Sequence, residues 1–470
     1  MEPREWRGLQ SALAGDVVLP AAGEYAALRR PPVARFDDGF LTAAEASGPE
    51  AIVLCREPAD AAETIAFARR FGLEIAIRSG GHCFAGRSFT RGVVIDVSPM
   101  QSVSVADGVA TVGAGTRLGV VYESLAREQL TIAAGCGTSV GIAGLTLGGG
   151  LGILGRMHGL TCDQLLGAEI VLADGRVVEC DEHHDADLFW ALRGAGGGNF
   201  GVATSFRFRP VPAPAATGFD LVWPYAEAGA VLGAWQEWAP DAPDELAASV
   251  LITLFGDLDQ PPLVHLFGGM AGTESETFSL LGGLIDRIGT EPVATASEHG
   301  SYVETKRYLA GLGDQFEQIE RAREARPVPS FSKSEFFERP LPRDAIDALL
   351  ANFVAARVAG QSRELDCMSW GGAYNRVPAD ATAFPHRTAR FLIKHAVVFG
   401  PDASDAGKEA ARGWLTRSWE SVHPWGTGGV YVNFTEPGLH RPETAYYGPN
   451  HERLLSVKRR YDPDNFFGFR

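Results

Sequence analysis

Residues 75–88 read Ile75-Ala-Ile-Arg78-Ser79-Gly80-Gly81-His82-Cys83-Phe-Ala-Gly86-Arg87-Ser88, a short apolar run that breaks into glycines with a histidine at the break. Ile75 and Ile77 alternate with other residues as in a strand. Gly80, Gly81 and Gly86 then remove the β-carbons that would hold backbone N–H groups away from a ligand. Arg78 and Arg87 bracket the turn. Exposed amides together with fixed positive charge suit a pyrophosphate, although a lone Gly-Gly-His also serves as a tight turn with an incidental histidine.

A second segment narrows that choice. Residues 135–152 read Gly135-Cys136-Gly137-Thr-Ser-Val140-Gly141-Ile-Ala-Gly144-Leu-Thr-Leu-Gly148-Gly149-Gly150-Leu-Gly152. A solvated linker would carry serine, proline and charge, whereas this stretch has no charged residue and is expected to be buried, against a flat cofactor. Gly150-Leu-Gly152-Ile-Leu-Gly155 also matches the dinucleotide fingerprint, but that motif needs a preceding strand and a following helix. Here more glycine precedes it, and Arg156-Met-His-Gly159 follows, so a Rossmann unit is not expected.

At 470 residues the chain exceeds the size at which one core keeps growing, and two domains are expected. Its 45% hydrophobic and 21% charged residues describe a globular protein. A formal charge of −16 argues against nucleic acid or an anionic membrane as partner. No signal-like start and no apolar run long enough to cross a bilayer is present, which points to the cytoplasm. Six cysteines without a Cys-x-x-Cys fit neither a disulfide scaffold nor a zinc site, and His183-His184-Asp185 reads as a solvated loop. Residues 51–77 suggest a β-α-β unit: a strand at Ala51–Cys55, a helix capped by Asp60 and ending near Phe71, then a parallel strand at Glu74–Ile77. Val93–Val97 and Gly108–Val112 read as further strands and Leu118–Glu128 as a helix. Asp174-Gly175 marks a hairpin. Proline enrichment at Arg209-Pro-Val-Pro212-Ala-Pro214 places a boundary near 212. Beyond it, strand-like runs (Phe219–Trp223, Ala248–Phe255, Leu263–Ala271, Arg390–Val398) alternate with helical ones (Ala226–Trp238, Glu274–Ile288, Arg343–Val358).

These two glycine segments, with Gly159-Leu-Thr-Cys-Asp163, Ala173-Asp-Gly175, Asp187-Leu-Phe-Trp190, Gly197-Gly-Asn-Phe-Gly201, Tyr431-Val-Asn433 and Arg460-Tyr-Asp-Pro-Asp-Asn465-Phe-Phe467, resemble the berberine bridge enzyme-like covalent FAD-linked oxidases of the vanillyl-alcohol-oxidase superfamily. The resemblance implies an α+β fold: a PCMH-type FAD-binding domain of two α/β subdomains, plus a substrate domain with an antiparallel sheet flanked by helices. It implies the division 1–212 (FAD-binding), 213–425 (substrate-binding) and 426–470 (a return completing the FAD domain). The implied activity is oxidation of an alcohol or C–H position of a small molecule, a carbohydrate or a secondary metabolite, with O₂ reduced to H₂O₂. A flavin dehydrogenase with another acceptor and a non-redox protein retaining flavin are the alternatives.

By the same resemblance His82 is the covalent attachment point of FAD. A second tether through Cys136 stays open, because Cys136-Gly-Thr-Ser-Val140-Gly141 holds one residue more than the family's Cys-x-x-Val-Gly. If the loop keeps register, Gly137 stands in the cysteine's place. Gly141, Gly144, Gly148, Gly149 and Gly150 would admit the pyrophosphate and ring face, Ser79, Gly80, Gly81 and Ser88 would supply donors, and Gly201 with Val202 would meet the adenosine half. Asn433 and Asn465 resemble late contacts to the flavin. The family's base is a tyrosine after the asparagine of Tyr-x-Asn-Tyr, but here that position is Phe434. Tyr374 in Trp370-Gly-Gly-Ala-Tyr374 is then the first candidate base, with Tyr431 and His395 behind it. Trp370, Tyr374, Tyr431 and Phe434 suggest an aromatic substrate pocket.

Overall fold

A computed structural model describes residues 1–30, 48–83, 85–321, 329–400 and 402–469 of the chain, with side chains described up to residue 312 in the helix that ends at 321. The β-α-β unit forms, with a third strand inserted. Ala51–Leu54 and Ile75–Arg78 each pair in parallel with Val93–Asp96, which lies between them, and Asp16–Val18 closes the sheet antiparallel to Ala51–Leu54. The expected parallel relation therefore holds, but the two strands are not neighbours. The intervening helix is Pro58–Phe71, and its N-cap is Glu57, not Asp60. Asp60 instead lies inside the first turn, buried, and its carboxylate accepts the backbone N–H groups of Ala14 (2.8 Å), Arg56 (2.7 Å) and Glu57 (3.3 Å). Proline at the first helical position sets the start three residues earlier than an Asp60 cap suggested.

The second sheet is antiparallel, in the order Val103–Ala106, Val109–Gly113, Val202–Phe208, Leu165–Val171, Val177–Asp181. Gly175 turns the last pair at φ 84°. His183 and His184 lie just beyond, exposed, with His184 Nδ1 3.0 Å from Asp181.

From Ala215 to Phe399 the chain builds a seven-stranded antiparallel sheet. Its order is Ala294–Ser301, Ala215–Pro224, Leu263–Ala271, Leu246–Leu254, Gln361–Ser369, Phe391–Phe399, Ser330–Phe337. One face packs on the helices Ala228–Trp238, Glu274–Ile288, Arg343–Val354 and Asp405–Glu420. Three of these strands carry no strand signal in the sequence. Ala294–Ser301 is an exposed polar edge held by main-chain pairing to Ala215–Pro224, and Ser330–Phe337 and Gln361–Ser369 carry charges on one face. In Gln361–Ser369, Arg363, Leu365 and Cys367 are buried, whereas Glu364, Asp366 and Met368 alternate toward the other face.

The C-terminal residues return to the first half. Val430, Val432, Tyr446, Tyr447, Leu454 and Tyr461 belong to the same buried cluster as Val93, Val112 and Phe206. No helix among the described residues is long and apolar enough to cross a membrane.

Removing the Asp60 carboxylate leaves three backbone donors without their acceptor. Asp60→Ala is expected to lower unfolding free energy by about 3 kcal/mol, and Asp60→Asn by roughly half of that. Urea denaturation of the full chain reads both.

Candidate active site

A cavity of about 1140 Å³ opens between the two N-terminal sheets, the seven-stranded sheet and the C-terminal return. Four regions distant in sequence wall it: 74–83 with 85–91, 140–151, 196–203 and 431–435, with Met368 from the long sheet and Asn465–Gly468 at the chain's end. Ser79, Gly80, Gly81, His82, Gly86, Arg87, Ser88, Val140, Gly141, Gly144, Gly201, Tyr431, Asn433, Phe434 and Asn465 all line it, so most of the expected site residues converge. The two glycine segments touch each other directly: a β-carbon on Gly80 would overlap the backbone of Gly141, and one on Gly141 that of Gly80. A β-carbon on Gly144 would meet no protein atom within 4 Å. The wall there is bare backbone beside open volume, as a large flat group requires.

Several expectations fail for definable reasons. Arg78 does not face the cavity. On the strand Ile75–Arg78 it points to the side opposite Ile77 and Ser79, where it is buried with Asp96 at 3.7 Å and donates to Leu28 O (2.6 Å) and Ser88 O (3.2 Å). Burial pushes the Arg78 guanidinium down and the Asp96 carboxyl up, the pair offsetting part of each shift. Arg78 thus closes the 79–88 loop from behind instead of meeting a phosphate. Ser79 donates its hydroxyl to Ala114 O (2.7 Å), so that donor is taken.

Gly148, Gly149 and Gly150 are also absent from the cavity wall. Their missing β-carbons make room for protein: Asn433 at Gly148, Tyr431 at Gly149 and Thr161 at Gly150. The Asn433 amide donates to Leu145 O (3.0 Å) and to the Tyr431 hydroxyl (3.0 Å), and Gly150 N donates to that same hydroxyl (2.9 Å). Val202 points into the core while its neighbours Gly201 and Ala203 line the cavity. Cys136 and Gly137 lie outside the wall, and Cys136 Sγ sits 3.7 Å from Lys306 Nζ.

The candidate bases fare worse. Tyr374 and Trp370 are buried in an aromatic cluster behind the wall, their rings stacked at 4.6 Å. The Tyr374 hydroxyl donates to Gly152 O (3.0 Å), and burial pushes its pKa up. Neither residue lines the cavity. Tyr431 does line it, but burial raises its pKa too, and its oxygen already accepts two hydrogen bonds. His395 faces the opposite side of the long sheet, with Nδ1 2.9 Å from Ser418 Oγ, and burial pushes its pKa down to about 3.

Sequence reasoning missed the group that the geometry favours. Asp366 is not itself a wall residue, but it lies on the same strand face as Met368, two residues away, and its register partner on the next strand is Lys394. Lys394 Nζ stands 5.4 Å from the centroid of Phe434, a wall of the cavity. Asp366 Oδ1 is buried and accepts no hydrogen bond among the described residues. Burial pushes the carboxyl up to about 6, with Lys394 pulling it down and Glu364 adding to the rise. The available signal was the alternation Glu364, Asp366, Met368, hidden in a run too polar to read as a strand.

Compared with known families, residues 49–181 match the model described as FAD binding domain, and residues 430–470 match that described as berberine and berberine like. The chain is 32% identical over 431 residues to an uncharacterized FAD-linked oxidoreductase of Bacillus subtilis, covering 90% of each protein. It is 31% identical over 433 residues to xylooligosaccharide oxidase of Thermothelomyces thermophilus, covering 85% of this chain and 82% of that one. The solved structure of Physcomitrella patens BBE-like 1 superposes with a TM-score of 0.85 at 26% identity, over 99% of this chain and 98% of the other.

The Gly148–Asn433 contact tests the wall. Gly148 has an ordinary negative φ of −99°, so Gly148→Ala adds no backbone strain, only overlap with the Asn433 amide. The variant is expected to lose about 3 kcal/mol of stability and most of its bound FAD, read by thermal unfolding and by the visible absorbance of the purified protein.

Proposed function

Because the chain belongs to the berberine bridge enzyme-like family of FAD-linked oxidoreductases, we propose that it is an oxidase with FAD covalently attached through His82, acting on an alcohol or C–H position of a carbohydrate or secondary metabolite. The observation that carries this reading is the convergence of His82, the bare Gly144 backbone, Asn433 and Asn465 on one large cavity that meets the substrate-facing side of the long sheet. The donor set fits FAD: backbone amides of the 79–88 loop and the Arg87 side chain lie along the wall for phosphates, and Leu145, Leu151, Met368 and Phe434 offer apolar surface for a ring. FAD held there would supply a two-electron acceptor that O₂ can reoxidise.

The protein's own task is binding and proton transfer. Met368, Tyr431 and Phe434 pack against the substrate and exclude water from its reacting carbon. Asp366 takes the proton on Oδ1, assisted by the cationic Lys394, which stabilises the carboxylate until the proton arrives. A carboxyl near pH 6 is well matched to that task, since it is largely ionised at neutral pH yet basic enough to accept. Cys136, outside the wall, forms no second tether, so attachment is through His82 alone.

Intact mass and acid precipitation test the tether. Wild type is expected to give a yellow pellet and one FAD of added mass. Cys136→Ala keeps both, and His82→Ala loses both. Anaerobic bleaching of the flavin by xylo- and chitooligosaccharides and by aromatic alcohols, followed by peroxide assay on admitting air, tests the oxidase. Bleaching without peroxide on readmitting air indicates a dehydrogenase, and conversion without bleaching a non-redox protein.

The base is tested by pH. Asp366 must be deprotonated to act, so the rate of bleaching is expected to rise through about pH 6 and then level. Asp366→Asn removes that limb and slows bleaching about 10²- to 10⁴-fold.

A further inference from the structure

Lys306 has no part in the cavity, yet it is among the most enclosed cations of the molecule. It lies on the helix Tyr302–Arg321, on the substrate-binding side, and is 1% exposed. Its ammonium reaches across to the FAD-binding half, donating to Ala134 O (2.7 Å) and Gly135 O (3.3 Å). The rings of Tyr122 and Tyr302, with centroids 5.0 and 5.1 Å from Nζ, cover it. The fourth neighbour is a thiol: Cys136 Sγ, at 3.7 Å, on a residue that is only partly buried.

We propose that Lys306 and Cys136 form a reversible covalent nitrogen–sulfur cross-link when the protein meets hydrogen peroxide, welding the substrate-binding helix to the loop ahead of Gly141. The thiol sulfur attacks one oxygen of peroxide; an S–O bond forms, the O–O bond breaks, and water leaves, giving a sulfenic acid. The Lys306 amine then attacks the sulfur; an N–S bond forms, the S–O bond breaks, and a second water carries off the hydroxyl with one amine proton. One peroxide is reduced to two waters and the sulfur is oxidised once. Ordinarily a lysine is protonated and cannot attack. Here burial pushes the Lys306 pKa down, against an opposing pull from Cys136, and so raises the share of neutral amine. The same geometry explains why the thiol is held away from the cavity wall: it has a partner on the other side.

The test uses the full FAD-loaded chain and added peroxide, so it does not depend on the oxidase reading. After treatment, the protein is denatured without reductant, alkylated and digested with trypsin. The expected product joins residues 128–156 to residues 288–307, weighs two hydrogens less than the separate peptides, and retains the bond after Lys306 uncut. Dithiothreitol separates the pair and restores alkylation of Cys136. Cys136→Ser, which removes the sulfur and leaves the fold's contacts, yields no linked pair. The proposal is overturned if Cys136 stays open to alkylation after peroxide, if it advances to sulfinic acid while trypsin still cuts after Lys306, or if its peptide carries flavin.

Discussion

The site depends on one constraint: a buried, glycine-rich segment that leaves its short helix, Ile142–Leu147, into irregular backbone must have its polar groups satisfied by something other than water. Gly150 N and Leu145 O find their partners in the Tyr431 hydroxyl and the Asn433 amide, both contributed by the far end of the chain. The side chains can come that close only because positions 148 and 149 have no β-carbon. This contact fastens the C-terminal return to the N-terminal half, and the cavity is the space left beside it. Thr161, whose hydroxyl donates to Ala133 O at 2.8 Å, fills the gap at Gly150 in the same manner.

A second theme is the use of buried cations as fasteners for carbonyl oxygens. Arg156 bonds the main-chain oxygens of Pro240, Trp370 and Ala242, so a residue of the glycine-rich half holds two loops of the half that carries the long sheet. Lys458 bonds Asn199 O at 2.5 Å and pairs with Asp462, fixing the 196–199 turn to the last helix. Arg387 forks onto Asp163 at 2.7 and 2.8 Å. Each such ion loses hydration on burial, and the net gain in stability is small even when the geometry is good. Their contribution is positional: each joins stretches far apart in sequence, and several lie directly behind the cavity wall. In an acidic chain of net charge −16, the cations drawn inside for this purpose are not available to a ligand, which is why Arg78 proved structural.

The fold was legible where periodicity and glycine chemistry act locally. Ala51–Leu54, Val93–Asp96 and Leu263–Ala271 are apolar enough to read alone, and the two glycine segments marked the cofactor side before any contact was known. The strands Ala294–Ser301 and Gln361–Ser369 were invisible because a sheet edge needs only main-chain pairing, and a face turned to a polar site needs no apolar residues. Among the residues that line the cavity, those on the loop itself, His82 and Gly81, could be read from the loop. The roles of Arg78, Val202 and Tyr374 turned on which side of a strand or helix each faces, a parity that shifts with a one-residue error in the element boundary. Gly148–Gly150 were read as room for a ligand, whereas backbone bareness serves an approaching side chain equally well. Nothing local distinguishes the two.

Asp366 shows what such polar strands can hold. The long sheet has one face committed to its helices, so every second residue of Gln361–Ser369 must look toward the cavity side, and an acid placed there is desolvated without being surrounded by donors. Leaving Oδ1 without a hydrogen bond costs about 1–3 kcal/mol, a penalty that a purely structural position would shed by mutation to asparagine, leucine or methionine. Lys394 opposite limits the cost by Coulomb attraction and keeps the carboxyl from rising into the range where it would be neutral at physiological pH. Two opposed influences, low polarity and one nearby cation, thus set a proton acceptor near 6 without any tyrosine. Phe434, which stands where a phenol was expected beside Asn433, offers the ring over which Lys394 Nζ lies.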